Sequence, residues 1–110
     1  MKMPNCERAV VETGKLRDYC LNPFHPRGRH KARIFRAALA LTAEDAHLLR
    51  DALLKAACND DVTPGDLDGY GQRYVLDFTM TTESAQAAIR SAWMIRVGED
   101  FPRLLSCYVI

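Results

Sequence analysis

No run of eighteen apolar residues occurs in this chain of 110, so nothing in it reads as a membrane-spanning helix. The opening "MKMPNCERAVVE" lacks the apolar stretch of a secretory leader, and a cytoplasmic protein is the expectation. None of the four cysteines, Cys6, Cys20, Cys58 and Cys107, sits in a CxxC pair, so a zinc site is not expected. Cys20 and Cys58 fall in apolar helical patterns and Cys107 in an apolar strand, which reads as buried, reduced thiols. Also missing are a Gly-rich phosphate loop ending in Lys-Ser/Thr and a GxSxG elbow. Asp60, Asp61, Asp66 and Asp68 are acidic enough for a cation, but no EF-hand register with a closing Glu surrounds them. No metal and no cofactor is therefore expected. Internal repeats and low-complexity tracts are absent as well.

What is present suits a single globular domain spanning residues 1–110, with 48% hydrophobic and 26% charged residues. The net charge of +1 hides an asymmetry. Met1 to Arg36 hold nine Lys/Arg against three Asp/Glu, whereas the remainder holds six against eleven. A basic first third facing an acidic remainder suggests a polyanion-facing surface or a partner of complementary charge.

Periodicity places the elements. "RAVVE", Arg8 to Glu12, alternates and reads as a short strand. Leu16, Tyr19 and Cys20 recur at helical spacing, predicting a short helix over Lys15–Leu21, which "NPFHP" ends because proline removes a donor and restricts its predecessor. His30 to Leu41 reads as a helix with Ala32, Phe35 and Leu39 on one face. A second follows, capped by Thr42 with Asp45 three residues on, and striped by Ala46, Leu49, Leu53 and Ala56. "NDDVTPGDLDGYGQ" is a turn-rich connector. Beyond it the period becomes two. Tyr74, Leu76, Phe78 and Met80 share one face, as do Ile89, Trp93, Ile95 and Val97. Leu105, Cys107 and Val109 oppose Leu104, Ser106 and Tyr108. Short links between these runs predict hairpins. The predicted class is α+β, with N-terminal helices packed on one face of a C-terminal antiparallel β-meander of three or four strands.

Chemistry gathers in two places. The polar face of the meander carries Arg73, Asp77, Thr79, Arg90, Arg96, Ser106 and Tyr108; alternation alone explains such a face, yet guanidinium forks also match phosphate oxygens. The segment "NPFHPRGRHKARIF", Asn22 to Phe35, holds two histidines and four cations, Arg27, Arg29, Lys31 and Arg33, with no carboxylate. His25 titrates near neutrality and is a candidate acid or base, and Lys31 lies at a helix N-terminus that favours anions. Metal-free RNA cleavage needs a base for the 2′-OH, an acid for the leaving 5′-oxygen and cations for the phosphorane. His25, Lys31, Arg90 and Ser106 supply these in kind. Arg27, Arg29, Trp93, Arg96 and Tyr108 are the expected substrate contacts.

The run Tyr19-x-Leu21-Asn22-Pro23-x-His25-Pro26-x-Gly28-x-x-Lys31-Ala32-x-x-Phe35, with "YGQRYVLDF", "RSAWMIR" and "FPRLLSCYV" later, resembles an uncharacterised bacterial domain family found free-standing and as tails of polymorphic toxins. Its layout is similar to the barnase/EndoU/colicin/RelE-like group of metal-independent ribonucleases. The resemblance implies roles for His25 and Lys31 in the loop and for Arg90, Trp93 and Ser106 on the strands. Toxin versions often carry threonine where this chain has Ser91 and Ser106; a hydroxyl is kept. Arg29 and His30 fill variable positions. The expected function is thus a metal-independent, ribonuclease-like toxin domain acting on RNA, with an acidic immunity or antitoxin protein as partner. The alternative is a non-catalytic module that binds an acidic protein or nucleic acid through its basic first third.

Overall fold

The helices end at Asn59 and the strands begin at Thr63, which divides the fold into its two layers. A computed structural model describes all 110 residues. A 3-10 turn at Cys6–Arg8 precedes α1, Thr13–Lys15, which runs on into a π-helical turn over Leu16–Cys20. The wider turn closes on a Leu21 amide bonded to the Leu16 carbonyl at 2.8 Å. Then come α2, Arg29–Leu39, and α3, Ala46–Asn59, with a 3-10 turn at Ala43–Asp45 leading into α3. The sheet follows as β1 (Thr63–Asp68), β2 (Gly71–Thr81), β3 (Gln86–Arg96) and β4 (Arg103–Val109), antiparallel throughout and in the order β1-β2-β3-β4. The architecture is α+β with the helices N-terminal to the sheet.

The core lies between the layers. Ala32, Phe35 and Leu39 of α2 and Ala46, Leu49, Leu53 and Ala56 of α3 are buried, facing Tyr74, Leu76, Phe78, Ile89, Trp93 and Cys107 of the sheet. These are the stripes that the periodicities of 3.6 and 2 predict. At the start of α3 the Asp45 carboxylate accepts from the Thr42 amide at 2.9 Å and from its hydroxyl at 3.2 Å, fixing the chain's entry. One polar side chain is fully buried in the core. Ser91 donates to the Leu76 carbonyl at 2.8 Å and accepts from the Trp93 indole nitrogen at 2.8 Å.

Four expectations are corrected. Arg8–Glu12 is not a strand; Val10 alone makes an isolated parallel bridge to Arg103, because the backbone there meets only the end of β4. The connector contains β1, whose six exposed residues have no apolar alternation to announce them and which pairs with β2 through backbone bonds. Leu104 is buried with Cys107 rather than set opposite it, because a bulge between the Ala92–Ser106 and Trp93–Leu104 pairs shifts the face. Cys6 and Cys58 are not buried thiols. Cys58 lies on the exposed side of α3 and forms a disulfide with Cys6, their Cα atoms 5.2 Å apart, while Cys20 and Cys107 are free and buried.

Two outcomes follow for stability. Ser91→Ala strands the Trp93 N–H and the Leu76 carbonyl in the core, an expected cost of about 1–3 kcal/mol in urea unfolding. The disulfide closes a loop across a sequence separation of 52. Its reduction is expected to remove about 2–4 kcal/mol, read as a lower urea midpoint with reductant than without.

Candidate functional site

Register sets the first part of the site. Asp77, Arg90 and Tyr108 lie opposite one another across β2, β3 and β4, with Ala92 and Ser106 paired next to them. Cys107 faces the core, so Ser106 and Tyr108 project the other way from the sheet's free edge. The Arg90 guanidinium donates from Nε and Nη2 to the two Asp77 carboxylate oxygens, both at 2.9 Å. Asp77 and then Tyr108 raise the Arg90 guanidinium above its ordinary value, and Arg90 in return holds the Asp77 carboxyl below the usual carboxylate range. Its remaining N–H groups face the Tyr108 side, where a ligand oxygen would compete with the phenol.

The second part comes from α2. Lys31 Nζ donates to Ser106 Oγ at 2.7 Å, bringing together residues 75 apart in sequence. The same ammonium lies 5.2 Å from the centre of the Tyr19 ring and 5.9 Å from that of Tyr108. No carboxylate neutralises it. A partly buried ammonium boxed by two aromatic faces and a hydroxyl has one direction left open for an anion. Beneath it lie the free thiols of Cys20 and Cys107. The neighbouring Cys107, with help from Lys31 and Lys15, lowers Cys20 to about 7 against the effect of burial, while Cys20 and burial both push Cys107 up.

His25 joins through Tyr19, their ring centres 4.6 Å apart and edge to face. Its Nδ1 accepts from the backbone amides of Arg27 and Gly28, both at 3.0 Å. An acceptor on Nδ1 puts the proton of the neutral ring on Nε2. The imidazole therefore caps the turn before α2. The loop is also seated by Gly28, where a Cβ would come within 2.1 Å of the Tyr19 carbonyl oxygen, so only glycine allows this approach.

Lys31, Ser106, Tyr108 and Arg90 thus form one continuous group, with His25 beside it. Arg27 is exposed in the same turn, and Arg29 extends from the opposite flank of α2. Besides Arg29, two expected substrate contacts do not join. Trp93 is 0% exposed and bonded to Ser91, so no ligand reaches it. Arg96 ends β3 six residues beyond Arg90, roughly 20 Å along an extended strand. Tyr19 and Asp77 belong to the site though neither was singled out; Tyr19 stands in the loop motif, and Asp77 needs the β2–β3 register to be found. A cleft of about 910 Å³ lies elsewhere, between α3 and the end of β2, lined by groups such as Leu48, Ala52, Phe78 and Met80. It brings no cluster of cations to bear on a ligand.

The fold and site together define an α+β domain carrying an ammonium, a guanidinium and two hydroxyls at the free edge of its sheet. Residues 2–110 match a domain of unknown function (DUF6883), and the chain belongs to that family. No curated protein matches it. Among solved structures, a chain of the contact-dependent growth inhibition toxin–immunity protein complex from Klebsiella pneumoniae 342 is similar, with a TM-score of 0.65 and 13% identity over 94% of this chain and 95% of that one. At that identity the likeness is one of fold.

The Arg90–Asp77 pair has a definite pH signature. Because the folded carboxyl sits below its ordinary value of about 3.9, the pair's contribution is complete above that pH and fades as pH falls through the folded value. Arg90→Ala is expected to return Asp77 upward toward the ordinary value, read by NMR titration of its carboxyl carbon.

Proposed function

We propose that this chain is a toxin-type, ribonuclease-like domain that seats an RNA phosphodiester between Lys31 and Arg90 and cleaves it without a metal ion in the cytoplasm of the cell it acts on. The observation that supports it is the Lys31–Ser106 contact: an ammonium partly removed from water, held by a hydroxyl and lacking a carboxylate. Lys31 and Arg90 would neutralise charge on the non-bridging oxygens as the 2′-oxygen attacks phosphorus. The 2′-oxygen–phosphorus bond forms while the bond to the 5′-oxygen breaks. Lys31 gives its proton to the departing 5′-oxygen, and the 2′-OH proton leaves to solvent, giving a 2′,3′-cyclic phosphate. His25 acts as a positioning residue: its Nδ1 receives the Arg27 and Gly28 amides and so holds the turn that starts α2 and carries Lys31. The similarity in fold to a chain of a toxin–immunity complex supports a toxin-like or immunity-like module with a protein partner, an acidic one given the basic first third.

A specific observation favours the second reading, a binding module without catalysis. His25 is tied through Nδ1, and Asp77 already occupies two donors of Arg90. A quenched fluorescent RNA separates the two. Catalysis predicts cyclic-phosphate ends, a loss of about 10²- to 10³-fold in kcat/KM for Lys31→Met, and a smaller loss for Ser106→Ala. His25→Asn, which keeps an acceptor for the loop amides, should retain activity that His25→Ala loses. RNA that is bound yet left intact by the unaltered protein establishes the binding reading instead.

A further inference from the structure

A second basic surface lies on the other flank of α2 and takes no part in the site above. Arg29, Arg33 and Arg36 follow one another at i, i+4 and i+7, so they share one side of the helix. All three are exposed, and no carboxylate pairs with any of them. They line a groove of about 580 Å³ whose floor includes Leu21, Ala32 and Leu41. At its mouth stands Phe24, 89% exposed. Its backbone is not loose: the Phe24 amide donates to Asn22 Oδ1 at 2.9 Å, in the same turn that His25 caps. At 100° per residue, Lys31 and this arginine row leave α2 on opposite sides of the buried Ala32–Phe35–Leu39 stripe. The loop of residues 22–28 spans the gap, bearing Phe24 at the groove and His25 against Tyr19, the ring that Lys31 also faces.

Resting on the reading of the chain as RNA-directed, we infer that this groove is a subsite for single-stranded RNA, with a base stacked on Phe24 and the phosphates along Arg29, Arg33 and Arg36. A positive track beside an exposed, anchored aromatic ring is the composition that holds unpaired strands, since every base offers a π-face and every linkage a charge. A duplex hides its base faces from such a ring. A protein partner would want apolar area at the centre of the contact, and the floor residues Leu21, Ala32 and Leu41 are only 2%, 4% and 3% exposed.

The experiment titrates a labelled single-stranded oligoribonucleotide against the full chain bearing Lys31→Met, by fluorescence anisotropy over a range of salt. Phe24→Ala is expected to weaken binding about five- to hundredfold with the salt slope unchanged, and Phe24→Trp to restore it. Arg33→Ala and Arg36→Ala should each lower the slope by about 0.7. Unchanged affinity in these variants overturns the inference, as does duplex RNA binding with the same dependence on Phe24. Competition by polyglutamate that is equally sensitive to Phe24 assigns the groove to an acidic polypeptide and likewise overturns it. Groove binding without cleavage by the unaltered protein removes the catalytic reading alone. Cleavage with indifferent groove variants removes the groove alone.

Discussion

The hydrogen bond from Lys31 to Ser106 joins the two layers of this protein at the one place where both are polar. Elsewhere the helices meet the sheet through apolar side chains that ask only for volume and burial. Here an ammonium is drawn to the free edge of β4 and held within reach of Tyr19, Tyr108 and, through Tyr108, Arg90. Apolar packing sets how close α2 lies to the sheet. The charged tip then reports that placement to within a few tenths of an ångström, because a donor at this distance tolerates little displacement.

The loop before α2 gains its order from small, local devices. Gly28 presses against the Tyr19 carbonyl, Asn22 receives the Phe24 amide, and His25 receives two more. A proline-bounded segment with so many cations would otherwise repel itself into a loose excursion. Each of these contacts satisfies a backbone donor or permits close approach, and together they aim Phe24 and His25 in different directions. The imidazole that composition marks as a proton carrier is, in the fold, first of all a cap.

The helical stripes and the alternation of β2 and β3 were legible because burial on one face imposes a period on the residue types. β1 was not: Thr-Pro-Gly-Asp-Leu-Asp is turn chemistry, and only pairing with β2 makes it a strand. The shifted face at Leu104 arises from a bulge, which leaves no mark in composition. The types of residue in the site were legible, as two cations and hydroxyls on a polar face. Their meeting was not, since it depends on α2 lying beside β4. Trp93 misled because alternation places it facing the helices, where its indole nitrogen finds Ser91 instead of a ligand.

The bond between Cys6 and Cys58 was equally silent, two half-exposed sulfurs with nothing in their spacing to pair them. It has a mechanical corollary. While it is intact, the first half of the polypeptide is a closed ring, and no conduit one backbone wide can draw it through in single file. Reduction of that one bond opens the ring and restores a linear chain.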